Sequence, residues 1–408
     1  MPRTVQFLAN RRRIAGAALI SVLALSACGG SEAEPLPDYD PVPVAVESPA
    51  TEVDTAELRL PLQLADAPVL APGWQTPPHY ADDVFLSAAD NDDVLTFRAV
   101  DTSGTVLWET QRPLSCTGFT LTSGHDQSYA VLTDIDDDVQ GFGNTVASAY
   151  DLHTGAAVWG PVDVPGPHQG PGTVFGAPPE EAMGDSGPKV LLDPATGDLL
   201  LDETADDVTI LGEFHGTVLL VHNDHVEAYR ADELADTGLT AEPLWTIPTD
   251  TWDNNGLTAR LPVTSSDPSD DPGAVLLGTN DINRALVQLA TGEVLADQLT
   301  AAGQDPSSQT WVTIGQQYAG YAADGQLLYQ EPNDGLQFRG VGAAVAYLEN
   351  ADGDLEARNV VTGDIGRSYD PQDTGALTVP TLITATGAGI LDAGEQYYLV
   401  PIVQADTP

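Results

Sequence analysis

Lysine is almost missing from this chain. Its 408 residues include one, Lys189, and the 14 Lys and Arg together face 61 Asp and Glu, for a formal net charge of −47. Four of the arginines (Arg3, Arg11, Arg12 and Arg13) fall in the first thirteen residues, ahead of any folded region. Nucleic acids are bound largely by cations that neutralise phosphates, so this composition excludes them as partners, and it repels anionic lipid head groups for the same reason. Cysteine is equally scarce: Cys28 and Cys116 are the only two, and no adjacent pair exists. Long apolar runs are absent as well. The longest, Ile14 to Leu25, has 12 residues, whereas a permanent membrane-spanning helix needs about 20. No Gly-x-Ser-x-Gly elbow or HExxH pattern occurs, and no strong amphipathic helix follows residue 57. Apolar residues nevertheless make up 42% of the chain, too many for a disordered acidic tail and enough for a large core.

Residues 1–27 have the layout of an export signal: a basic stretch ending at Arg13, a short apolar run, then small residues. Leu25-Ser26-Ala27-Cys28 resembles the lipobox of bacterial lipoproteins, which implies a diacylated Cys28 as the new N-terminus and an outward-facing, lipid-anchored protein. Cys116 is then the one free thiol, read as a small buried residue. Residues 28–56 are rich in Pro, Glu and Asp without periodicity, and are expected to form an extended, unpaired tether. Without the signal the charge is −51, with 10 basic residues against 61 acidic. Such a body is pushed off an anionic membrane, so a tether is useful.

From residue 57 to 403 one unit recurs, followed by a short tail at 404–408. Its clearest copy is Asp83 to Glu109: strand residues Val84-Phe85-Leu86 and Leu95-Thr96-Phe97 flank turn chemistry at Ala88 to Asp93, and Ser103-Gly104 leads into Val106-Leu107-Trp108. The turn glycines fall at 104, 155, 197, 292, 325 and 363, and the Trp245 copy, which has an insertion at Asp232 to Glu242, fills the long gap. The mean spacing is near 43 residues, the period of a β-propeller blade of four strands. Glycine suits the turn because the position favours positive φ, and the Trp or Leu that follows should pack between blades. The expected fold is all-β: a propeller of eight four-stranded blades, or seven because the copy around 173–201 is irregular. An N-terminal strand at Glu57 to Leu64 would pair with the C-terminal hairpin Gly389 to Val400 and close the ring.

Ala149-Tyr150-Asp151-x-x-Thr154-Gly155-x-x-x-Trp159, with Ala99-Val100-Asp101-x-x-Gly104-x-x-x-Trp108, resembles the PQQ-like β-propeller repeat. The resemblance covers roughly residues 57–403 and is sharp in these two copies. It implies a propeller of seven or eight blades, and its nearest functional analogy is the lipoprotein propeller that scaffolds outer-membrane protein assembly. The quinoprotein dehydrogenases that share the repeat use adjacent cysteines and a calcium site beneath the quinone. This chain has no such pair, so PQQ is not expected.

Three constellations offer binding chemistry. In His222-Asn223-Asp224-His225, a two-residue turn would set His222 and His225 opposite each other, Cβ atoms about 5 Å apart, with Asp224 or His215 as a further metal ligand. Asp134, Asp136 and Asp138 place carboxylates at alternate positions, as a calcium loop does, but Val139 stands where such a loop has Gly. Asn350, Asp352 and Asp354 follow the same spacing and lack the acidic twelfth residue, since Val361 is there. In so acidic a chain the plainer reading of each is a polar blade-loop turn. The Gly-rich stretch Gly166 to Gly172 does not lead from a strand into a helix, so it is not a phosphate loop. The expectation is a monomeric, non-catalytic propeller that binds an envelope protein or ligand at one face. A propeller dehydrogenase or hydrolase with a pocket at the central channel is the first alternative. A sugar- or divalent-cation-binding surface module is the second.

Overall fold

The computed structural model describes residues 39–402, apart from 92, 126, 137–143, 179–186, 253–255, 265–272, 280–282, 371 and 373. All described residues belong to one compact unit, Pro37–Pro408. The signal at 1–27, Cys28, Asp138 and the tail at 404–408 lie outside them.

Short alternating segments separated by turn residues have a single way to bury one face each: they pair with their chain neighbours as antiparallel meanders. Val84–Asn91, Val94–Asp101 and Thr105–Pro113 pair in chain order with His79–Ala81 on the inner edge. Phe119–Gly124, Gln127–Asp136, Asn144–Asp151 and Ala157–Asp163 form the next sheet, and Thr209–Phe214, Thr217–His222, His225–Arg230 and Trp245–Pro248 form another. Between them stands a three-stranded sheet, Val174–Gly176, Lys189–Leu192 and Leu199–Asp202, the irregular copy of the repeat. Two larger sheets follow. In one, the long strand Val294–Asp305 pairs with Arg284–Gln288 through its first half and with Thr310–Gly315 through its second, so it serves two successive meanders. In the other, Gln337–Gly342 and Val379–Ile383 meet in parallel through Val341 and Leu382. This is a β-propeller arrangement, with two short α-helices, Glu203–Asp206 and Ala231–Thr237, of which the second occupies the insertion expected after Arg230.

The core lies between sheets. Leu86, Phe97 and Trp108 of the first sheet pack with Leu121, Leu132 and Leu152 of the second, and Leu219 and Trp245 pack with Val275 and Leu277 in the same way. The tryptophans mark the junctions. Trp108, Trp159 and Trp245 donate their indole N–H groups to Leu152, Pro194 and Leu289 carbonyls in the following sheet, at 2.8, 2.9 and 2.7 Å. Each ring lies on the turn glycine of that sheet. A Cβ on Gly155, Gly197 or Gly292 would fall 2.9, 2.7 or 2.7 Å from the indole. The repeated turn is therefore glycine for two reasons, positive φ and the ring of the preceding unit.

Three expectations change. Ala88 to Asn91 are not turn but strand, because Ala88 pairs Phe97 and Asp90 pairs Leu95, extending the hairpin almost to its tip. Glu57 to Leu64 is not the strand that meets the C-terminal hairpin. Pro61 interrupts it, leaving the two-residue strand Leu58–Arg59 between 3-10 turns, and this pairs in parallel with Ala376–Leu377. The C-terminal strand Tyr397–Val400 instead pairs with Leu70–Trp74, Tyr397 opposite Trp74 and Leu399 opposite Leu70. Finally, the segment read as an unpaired tether is partly structured. Val44–Pro49 adds a fifth strand outside Thr105–Pro113, and Thr51–Glu52 pairs with Leu70 and Ala71. Arg112 fixes this strap: its buried guanidinium donates to the Pro41 carbonyl at 2.9 Å and the Tyr150 hydroxyl at 2.9 Å, with Asp134 at 3.4 Å.

Candidate functional site: a cavity shared by the inner strands

The innermost strands of the successive sheets face one cavity of about 740 Å³, within the usual range for small-molecule pockets. His79 and Tyr80 come from the first sheet, Thr120 and Leu121 from the second, Leu211 and Glu213 from the fourth. Arg260, Trp311 and Leu382 come from the larger sheets. In the three-stranded sheet the inner position is taken by the Gly166 to Gly172 stretch, joined to it by one bridge between His168 and Phe175. Its prolines and glycines cannot maintain a ladder, so the backbone loops along the wall instead.

Three imidazoles lie at this wall, those of His79, His168 and His215. His79 stacks on Phe119, centroids 4.5 Å apart, and desolvation at this wall together with the neighbouring His168 lowers its pKa. His168 packs edge-on to Phe175, and its Nε2 donates to the Gly172 carbonyl at 2.7 Å. Burial lowers its pKa too, so both rings are neutral at physiological pH.

Glu213 is the acidic member. Burial raises its pKa to about 7, against the opposing hydrogen bonds it accepts. The Thr122 hydroxyl lies 2.9 and 2.8 Å from its two oxygens, and the Gly216 N–H donates at 2.6 Å. Gly172 approaches so closely that a Cβ there would fall 2.2 Å from Oε2. This carboxyl thus joins the second and fourth sheets to the loop between them, and its side chain is sealed from the lumen, 1% exposed. That geometry suits a structural clasp better than a general base, which must reach a substrate proton.

Of the residues singled out from sequence, His215 lines this cavity and the others lie elsewhere. His222 and His225 do face each other across a hairpin whose turn residues, Asn223 and Asp224, have φ of 48° and 63°. Both nitrogens of His222 are engaged, Nδ1 with Glu227 at 3.2 Å and Nε2 with Asn223 at 2.8 Å, while His225 Nδ1 contacts the Asn223 carbonyl at 2.9 Å. His215, suggested as a further ligand, sits at the opposite end of Thr217–His222, with its ring on Ser123. Asp134 accepts from Tyr39 and the Ile135 N–H, both at 2.8 Å, and Asp136 ends the same strand. Asn350 Oδ1 accepts the N–H groups of Asp352 and Asp354 at 3.0 Å, a side-chain-closed turn within a hairpin. Among the described residues, no group of three or more His, Cys, Asp or Glu is placed to hold a metal. Sequence reasoning missed Glu213, His79 and His168. The one available signal was the Gly166 to Gly172 stretch, which stands where the repeat calls for an inner strand.

No protein-family model and no curated protein matches the chain. Among solved structures, it is similar to BamB from Moraxella catarrhalis at 15% identity, over 83% of this chain and 98% of that one, with a TM-score of 0.44. It is also similar to the computationally designed Ika8 protein at 15% identity, over 85% and 99%, with a TM-score of 0.43.

Proposed function

We propose that this chain is an exported, lipid-anchored β-propeller that works as a non-catalytic binding scaffold for an envelope protein or ligand. The observation that carries the reading is the cavity walled by strands of successive sheets, in which Glu213, the carboxyl among the described lining residues, is committed to holding those sheets together. The strands group into eight units, if Val294–Asp305 is shared between two of them. The last unit combines Val379–Ile383, Gly389–Asp392 and Tyr397–Val400 with Leu70–Trp74 from the N-terminal side. Closure of the ring there is supported by Leu70, whose Cδ1 would lie 2.1 Å from a Cβ on Gly104, the place that Trp108 takes on Gly155. Cys28 carries the lipid, and the strap at 44–52 leaves a short tether between anchor and body. The protein sits on the outer side of the cell membrane as a monomer.

Crosslinking and capture from detergent-solubilised membranes tests the scaffold: a stoichiometric protein partner is expected. A protein purified with a bound redox cofactor, or showing turnover that depends on Glu213, would instead establish the propeller-enzyme alternative. Incorporation of a palmitate analogue, abolished by Cys28→Ala, tests the anchor.

A further inference from the structure

Among the described residues that line the cavity one is acidic, Glu213, and that one faces its clasp. The same wall holds Arg260 and the chain's sole lysine. Arg98, Arg112, Arg230, Arg339 and Arg358 each pair with a carboxylate. Lys189 does not. Its half-buried ammonium donates to the Ile210 carbonyl at 3.0 Å, which uses one of three N–H donors. An ammonium without a carboxylate, in a chain with more than four acids for every base, is poised for an acid that the protein does not supply. The rest of the wall is mainly apolar and includes Leu121, Leu211, Phe214, Trp311 and Leu382.

We propose that this cavity binds an amphiphile with a single anionic head, the head on Lys189 and the hydrocarbon body against the apolar wall. The proposal rests on reading the cavity as the binding site, and adds the class of ligand. A charge-assisted hydrogen bond selects the head, and removal of apolar surface from water supplies most of the affinity. Glu213 adds no opposing charge at the lumen because its carboxyl turns into the junction between sheets.

The test titrates the full chain, held in amphipol, with octanoate, octyl phosphate, octanol and octyltrimethylammonium, following tryptophan fluorescence. Octanoate or octyl phosphate should bind at least about tenfold more tightly than octanol, and the cation more weakly than octanol. The ratio between the two anions tells a carboxylate ligand from a phosphate one. Lys189→Met should bring the anions to the affinity of octanol, and Lys189→Arg should restore most of the difference; thermal melting confirms that both variants fold. Equal binding of anion, alcohol and cation by the unaltered chain overturns the proposal, as does failure of all four to bind or retention of anion selectivity in Lys189→Met. The scaffold reading fails separately. Capture of a stoichiometric protein partner with no anion selectivity would sink this inference alone, and anion binding without any partner would sink the scaffold alone.

Discussion

The glycines in turns give a sharp test, because Gly292 and Gly353 differ in what stands over them. Gly292 and Gly353 both have left-handed backbones, with φ of +72° and +85°, and both turns are closed by a backbone hydrogen bond of 2.9 Å. At Gly353 a Cβ would meet nothing within 4 Å, whereas at Gly292 it would lie 2.7, 2.8 and 3.0 Å from three atoms of Trp245. Gly353→Ala therefore loses only the conformational preference, about 1–2 kcal/mol. Gly292→Ala loses that as well and must also displace an indole whose N–H is bonded to the Leu289 carbonyl at 2.7 Å. Overpacking typically adds about 1–3 kcal/mol, and the lost hydrogen bond about 1 kcal/mol. The expected total is about 3–6 kcal/mol, against about 1–2 kcal/mol for the control. At roughly 2 °C per kcal/mol for a body of this size, the two variants should melt several degrees apart. Trp245→Ala in the Gly292→Ala background should cost less than the two changes added, since the clash disappears with the ring. If the two glycine variants melt together, the inter-sheet contact is not what the turn requires, and the account of the junctions fails.

Three further outcomes follow from particular side chains. Glu213 has a folded pKa of about 7, above its ordinary value of 4.5, so the native state binds its proton more tightly than the unfolded chain does. The group's contribution is thus greatest at low pH and is lost as pH rises from about 4.5 to 7. Glu213→Gln should gain in melting temperature relative to the unaltered protein between pH 5 and 8, and parallel curves would refute the assignment. Cys116 is buried, and burial pushes its thiol up to about 11. In the Cys28→Ser chain a disulfide reagent at pH 8 should label nothing until denaturant is added, then label one thiol. Rapid native labelling would contradict the packing. Arg112→Ala removes the donors to Pro41 and Tyr150 and should free residues 39–49 for proteolysis; an unchanged cleavage pattern would show that the strap holds by its ladder alone.

Much of the fold was legible because the repeat is a local device. Trp108, Trp159 and Trp245 sit at a fixed distance from a turn, and each does the same work at its junction. The insertion after Arg230 could be read from spacing. The strand that meets the C-terminal hairpin could not: Leu58-Arg59-Leu60 and Leu70-Ala71-Pro72 are equally short, each carries a proline nearby, and the choice between them depends on contacts with residues 397–400. The cavity was illegible for a related reason. His79, His168 and Glu213 are separated by 89 and 45 residues, and each stands on a different sheet or loop, so no spacing rule brings them together. Conversely, His222 and His225 were correctly placed opposite each other, since a hairpin fixes that pairing locally, but the roles of Glu227 and Asn223 as their partners depend on rotamers that the pattern does not encode.

Leu70 and Leu399 lie opposite each other although 329 residues separate them in the chain. A ribosome delivers the first of these long before the second, so the segment around Leu70, paired on one side by Thr51 and Glu52, keeps its other edge exposed through most of synthesis. Contacts this remote are slow to form, because the intervening loop must be closed before any of them is rewarded. Residues 397–400 therefore weigh more than their number suggests: until they arrive, one edge of an adhesive strand is left open to neighbouring molecules.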